Sequence, residues 1–207
     1  MVSSDPLVVG DDGIARCWWG ASTPDYQVYH DTEWGFPVAD DHRLFEKLCL
    51  EGFQSGLSWL TVLRKRPDFR RVFHGFDAKR VAAMGAEDVT RLLADATIIR
   101  HRGKIEAAIA NAAAALDVAD EWGTLAAFFW SFEPLDRPPS TEPTTAESAA
   151  LAKELKRRRF RFVGPTTAYA FMQATGIVND HVPGCATRSE VATARQRFVR
   201  PTTSRTS

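Results

Sequence analysis

Apolar positions recur at helical spacing along most of the chain, and nowhere do they alternate with the period of a strand. Asp40 or Asp41 suits a helix N-cap, and behind it Leu44, Phe45, Leu48, Cys49 and Gly52 fall at helical spacing. A second helical pattern runs through Leu57, Leu60 and Leu63 into the basic RKRPDFRR, where Pro67 is expected to break it. Short helices are predicted over residues 78–84 and 86–94. A turn-into-helix passage follows around Gly103, flanked by Arg100, His101, Arg102 and Lys104, then a helix over 122–132. Four prolines between residues 133 and 148 mark a surface loop, and Thr144 with Glu147 has the form of a capping box for a helix carrying Leu151 and Leu155. Residues 1–14 are polar and aperiodic and predict a disordered tail; residues 188–207 predict a second, basic one. The expected fold class is all-α, with no internal repeat.

Residues 156–185, KRRRFRFVGPTTAYAFMQATGIVNDHVPGC, carry the densest chemistry. Gly164 can take the positive φ of a tight hairpin, and Pro165 suits the first position of a helix that should end at Gly176. A turn that opens a helix presents free N–H groups where a phosphate can sit. An ordinary interhelical turn would look similar, but six Lys or Arg against one Glu between residues 153 and 161 favour a phosphate clamp.

At the other end of the chain, residues 16–37 interleave Trp18, Trp19, Tyr26, Tyr29, Trp34 and Phe36 with Asp25, His30, Asp31 and Glu33, without any period. Aromatics mixed with acids suit a pocket wall better than a core stripe. Glu51 follows Leu44 by two helical turns and so projects from the apolar face of its helix. A carboxylate there is costly unless paired or facing a polar cavity, and burial should raise its pKa. A helix ending at Gly52 would instead let Glu51 reach solvent. Core packing is the commoner fate of a Trp near a leucine stripe such as Trp59, and the N-terminal aromatics could be satellite packing. Aromatic faces beside one carboxylate, however, make a receptor for a flat cation.

Composition narrows the class. The chain has 207 residues, 44% hydrophobic and 25% charged, enough for one substantial core. Its formal net charge is zero, so any attraction to nucleic acid must be local. No apolar run approaches the roughly 18 residues of a membrane span, and the N-terminus lacks the pattern of a signal peptide, so a cytoplasmic protein is expected. Three cysteines argue against a disulfide framework. Cys17 and His30, with twelve residues between them, and His181 and Cys185, with three, follow no standard finger spacing. Together they supply the Cys₂His₂ set of a closed tetrahedral zinc site, although spacing alone leaves coincidence open. Four protein ligands would leave no open position, making such a metal structural. Cys49, on an apolar helix face, is expected to be a buried, inert thiol.

The ordered motifs RCWWG, YHDTEWG, LFEKLCLEGFQSGLSWLTVL, IIRHRGKI and FRFVGPTTAYAFMQATGIVNDHVPGC resemble the 3-methyladenine DNA glycosylase I family, a zinc-bearing branch of the helix-hairpin-helix DNA glycosylases. The resemblance covers about residues 15–187. It implies one glycosylase domain there, with two helical lobes sharing one cleft and a structural zinc clip joining its ends. The family's ligands to one zinc ion fall on Cys17, His30, His181 and Cys185, its key acid on Glu51, and its base-recognition aromatics on Tyr26, Tyr29, Trp34 and Trp59, with Trp19 a lid or neighbour. The DNA-gripping hairpin falls on Val163, Gly164 and Thr166, with Arg100, Arg102 and Lys104 as further backbone contacts. The implied partner is double-stranded DNA containing an alkylated purine, bound by a monomer. The implied reaction is base flipping and hydrolytic release of 3-methyladenine, without a lyase step, because Thr166 and Thr167 stand where bifunctional relatives carry a nucleophilic lysine. A non-catalytic, zinc-stapled module that recognises damaged DNA is the competing expectation. Asp180, near that superfamily's catalytic aspartate, is expected to have a structural role.

Overall fold

The computed structural model describes residues 6–135, 138–140 and 142–203. Ten α-helices and one small sheet are formed among them. Strands β1 (Leu7–Val9) and β2 (Ala15–Cys17) pair antiparallel, with Leu7 opposite Cys17. The helices are α1 (Pro24–Thr32), α2 (Asp41–Gln54), α3 (Trp59–Val72), α4 (Ala78–Ala82), α5 (Ala86–Ala94), α6 (Arg102–Trp122), α7 (Leu125–Trp130), α8 (Ala146–Arg157), α9 (Pro165–Ala174) and α10 (Ala186–Arg197).

Helix α2 is the organising element. Asp40 caps it by accepting from the Arg43 N–H, and every residue from Leu44 to Phe53 is buried. It packs against α3, α6, α7 and α9. Its first residue, Asp41, also accepts from the N–H groups of Leu125 and Ala126, so the start of α2 caps the start of α7. Phe53, Phe69, Phe73 and Phe76 form a chain of ring contacts behind it. On α6 the small buried side chains Ala108, Ala112 and Ala115 allow close helix approach. Helices α8 and α9 pack together across the turn 158–164.

Several local expectations are corrected. Helix α3 continues through Pro67 instead of breaking there. The ring removes one backbone hydrogen bond, but Val62, Phe69 and Val72 bury the face on either side of it. The cap of α8 is Thr145 with Ser148, which exchange backbone-to-hydroxyl hydrogen bonds, not Thr144 with Glu147. In the turn before α9, Gly164 is extended, with φ −85°, and the left-handed residues are Arg159 and Phe162. Neither expected disordered tail describes the residues seen. Residues 7–9 pair with β2, and residues 186–197 form α10. That polar helix is fixed by long-range partners: Val191 is fully buried, Arg195 and Arg200 pair with Glu133, and the Phe198 ring packs at a tilt on Trp130 with centres 4.5 Å apart. Residues 1–5 and 204–207 of those tails lie outside the described residues. No helix among the described residues is long and apolar enough to cross a membrane.

Candidate active site and metal centre

The four metal donors come from three separate parts of the chain. Cys17 ends β2, His30 lies on α1, and His181 and Cys185 lie on the segment between α9 and α10. All four are buried, and their donor atoms lie within 4.8 Å of one another. Cys17 Sγ is 3.7 Å from His181 Nδ1, Cys185 Sγ is 3.5 Å from both His30 Nε2 and His181 Nδ1, and the two ring nitrogens are 3.1 Å apart. A tetrahedron with metal–ligand bonds of about 2.1–2.3 Å has edges of about 3.4–3.8 Å, so the spacing fits a four-coordinate ion with modest adjustment. The opposite ring nitrogens are also committed. His30 Nδ1 is 2.7 Å from Asp31 Oδ1, and His181 Nε2 is 3.0 Å from the Trp34 carbonyl. Both of those partners are acceptors, so each ring donates outward and turns its lone pair towards the sulfurs. Arg16 fixes Asp31 through two further hydrogen bonds. The cluster could therefore hold a metal ion and would clip the N-terminal segment to the end of α9.

Beside the cluster lies a cavity of about 540 Å³ whose walls include Trp19, Tyr26, Tyr29, Trp34, Glu51 and Trp59. The structure thus brings the expected acid and all five expected aromatics into one site. Trp19 meets Tyr26 edge-on at 5.7 Å and Trp34 at 5.0 Å, while Tyr29 and Trp59 are 5.5 Å apart. Trp34 also contacts the His181 ring at 4.7 Å, joining the cavity wall to the metal cluster. The Tyr26 hydroxyl accepts from the Leu60 N–H and so ties α1 to the start of α3. Glu51 is 5% exposed. Burial pushes its carboxyl up from an ordinary 4.5 to about 8, with the Lys47 ammonium pulling the other way. Burial likewise holds the Tyr29 phenol well above its usual range, with the Glu51 charge adding to the effect. Trp59 Nε1–H is buried without a hydrogen-bond partner, and such an orphan donor is costly unless a ligand satisfies it.

Sequence reasoning missed other lining residues: Gln54, Tyr169 and Gln173, and Ser140 with Glu142 from the proline-rich loop. Gln54 follows Glu51 on α2, and Tyr169 and Gln173 stand one turn apart on α9, so helical spacing could have found these three. The loop residues leave no local signal. Asp180 also lines the cavity, but it accepts from the Tyr169 hydroxyl, from Gln173 Nε2 and from the Ser140 N–H. Those bonds tie the loop to α9.

The expected backbone-gripping residues divide. Gly164 and Thr166 are exposed at the start of α9, and Thr166 reaches the cavity wall. Val163 is buried beneath them. Arg100 and Arg102 are exposed, Arg102 beside Glu106. Lys104 is corrected: it is buried, and its Nζ donates to the carbonyls of Phe53 and Ser55. It therefore caps the C-terminus of α2 and is not available to a phosphate. The two basic passages meet at Phe162, whose ring contacts His101 and lies beside Gly103. Asn111 of α6 exchanges two hydrogen bonds with the Arg161 backbone and fixes the turn. Arg157 and Arg158 are engaged by Glu154 and Glu121, which leaves the clamp fewer free cations than the sequence suggested. Cys49 is buried, and burial raises its thiol well above the ordinary range.

Comparison with known proteins agrees with this arrangement. The family described as methyladenine glycosylase matches residues 18–189. The chain is 52% identical over 180 residues to DNA-3-methyladenine glycosylase 1 of Escherichia coli (strain K12), covering 83% of this chain and 96% of that one. It superposes on a crystal structure of 3-methyladenine DNA glycosylase I with a TM-score of 0.79 at 50% identity, covering 83% of this chain and 98% of the other. A variant of 3-methyladenine DNA glycosylase I in complex with 3-methyladenine gives a TM-score of 0.78 at 34% identity, covering 82% and 95%. On these grounds the chain belongs to the methyladenine glycosylase family.

Proposed function

We propose that this chain is a DNA repair glycosylase that flips 3-methyladenine out of alkylated double-stranded DNA and hydrolyses its N-glycosidic bond. The observation that carries the reading is Glu51, a buried carboxyl in a cavity walled by Tyr29, Trp59 and Trp19. Methylation at N3 leaves the adenine of the nucleotide positively charged, which weakens its pairing and its bond to the sugar. A cationic purine would stack on the rings, restore the charge of Glu51 by pairing with it, and could satisfy the orphan Trp59 N–H. Neutral adenine offers no such charge, so selection and leaving-group activation coincide. A module that only grips phosphates gains nothing from a buried acid.

The chain's other parts fit supporting roles. The α8–turn–α9 unit reads as the helix-hairpin-helix grip, with N–H groups at the start of α9 and the free cations of the turn meeting backbone phosphates. The four-donor cluster fits zinc by its ligand chemistry; bound there, zinc would supply cross-linking and no open coordination position. No lysine lines the cavity among the described residues, which supports a monofunctional hydrolysis without a Schiff base. Asp180, saturated by donors, fits a structural role.

The test is base release from methylated duplex DNA by wild type and Glu51→Ala. Release by the wild type, reduced about a hundredfold or more in the variant, is expected from the loss of a charged partner in a dry site. Equal release from both, or none from either, would leave a binding module as the better account. Borohydride trapping of a covalent DNA adduct would overturn the monofunctional assignment.

A further inference from the structure

Behind the cavity lies a row of charges that the proposed reaction does not use. Lys47 stands one turn before Glu51 on α2, so the two project from the same side. It is 5% exposed; its Nζ lies 5.6 Å from the centre of the Tyr29 ring and 3.7 Å from Glu33 Oε2. Two carboxylates act on this ammonium, Glu33 and Glu51, and a third acid, Glu46, precedes it in the chain. Glu33, beyond α1, takes two hydrogen bonds from Arg66 of α3 and a third from Arg43. Glu46 of α2 takes one each from Arg43 and from Arg70 of α3. Glu51 alone has no guanidinium partner among the described residues, and Lys47 is the cation whose charge acts on it. The arginines thus satisfy Glu33 and Glu46, leaving Glu51 without a guanidinium and Lys47, which also pairs with Glu33, one turn away from it. A buried ammonium is tolerated only where a charge of opposite sign compensates it.

We propose that Lys47 is a positioning residue for base excision: it is the resident cation that eases the ionisation of Glu51 as a cationic base arrives. The inference rests on the reading of Glu51 given above. Its electrostatics are reciprocal. Lys47 opposes the rise that burial imposes on Glu51, and Glu51 with Glu33 opposes the fall to about 8 that burial, Arg43 and Arg66 impose on Lys47. A methylated base entering the cavity brings a second positive charge to the same carboxylate, so Lys47 sets how strongly that charge is demanded.

The experiment is the pH profile of kcat/KM for 3-methyladenine release from methylated duplex, with wild type, Lys47→Met, Lys47→Arg and Glu51→Gln. In Lys47→Met the acidic limb should move to higher pH by about one unit, while Lys47→Arg should keep it near the wild-type position. A folded Lys47→Met protein with an unmoved limb would overturn the proposal and leave Lys47 as packing alone. If Lys47→Met folds poorly, carbon-13 titration of Glu51 and Lys47 in the wild type reads the same quantity. Two linked steps support the proposal, and independent single steps overturn it. If Glu51→Gln releases base as fast as wild type, the reading of Glu51 itself falls. If Glu51→Gln is inactive and the Lys47→Met limb stays put, only the role of Lys47 falls.

Discussion

Replacing Glu51 by Gln should stabilise the fold, and the gain should grow with pH. A raised carboxyl reverses the usual acid behaviour. Between an unfolded value near 4.5 and a folded value of about 8, the native protein holds a proton that the unfolded chain has lost. Stability from this group is therefore full below 4.5 and is lost as pH climbs towards 8. At about 1.4 kcal/mol per unit, the loss is roughly 1 kcal/mol at pH 5 and roughly 4 kcal/mol at pH 8. Gln keeps the shape and has no charge to desolvate. Urea unfolding of wild type and Glu51→Gln at pH 5 and pH 8 should thus show a stability difference that moves in favour of the variant by about 2–4 kcal/mol between the two pH values. The reasoning is refuted if the difference is the same at both pH values, or if it shifts towards the wild type at pH 8. On the proposed role of Glu51, the variant that loses activity would be the more robust protein, because the carboxyl would serve an incoming charge and not the fold.

The remaining predictions concern the supports of the site. Purified protein should contain about one zinc per chain, and chelation should lower Tm while base release tracks the folded fraction; release that persists undiminished in metal-free protein with an unchanged Tm would contradict a structural clip. A Cβ at Gly20 would lie 2.5 Å from the His30 ring, so Gly20→Ala should displace that ligand and reduce zinc content measured by elemental analysis. Lys104→Met should cost about 1–3 kcal/mol by uncapping α2, yet leave the salt dependence of DNA binding unchanged. A slope smaller by about one unit would mean that Lys104 reaches a phosphate after all.

What the sequence made legible follows from how local each feature is. The helix of Glu51 could be placed because Leu44, Leu48 and the Asp40 cap repeat within a few turns, and the fold bears that out. The donor set could be named, but its closure could not, because Cys17 and His181 meet only when β2 and the segment after α9 come together. Lys47 and Glu46 went unnoticed because a period search assigns charged residues to the solvent side, whereas α2 is buried all round. The α10 segment looked unstructured for the same reason: Glu133 and Trp130, its partners, lie far away in the chain. Phe162 carries the positive φ that was assigned to Gly164, with Asn111 of α6 holding the adjoining Arg161 backbone and His101 against its ring.

These misses share a cause that bears on how the site works. A carboxyl that resists ionisation can persist on a core helix only if the rest of that helix is held firmly. Here α2 is capped at its start by Asp40 and at its end by the Lys104 ammonium, and it is enclosed by α3, α6, α7 and α9. The arginine pairs around Glu33 and Glu46 neutralise its outer acids without reaching the cavity. The unfavourable charge is thereby confined to one position, Glu51, where a cationic base can discharge it. Residues that looked like solvated surface in the sequence are what concentrate the chemistry, and moving any one of those partners should alter the pH response of the site before it alters the fold.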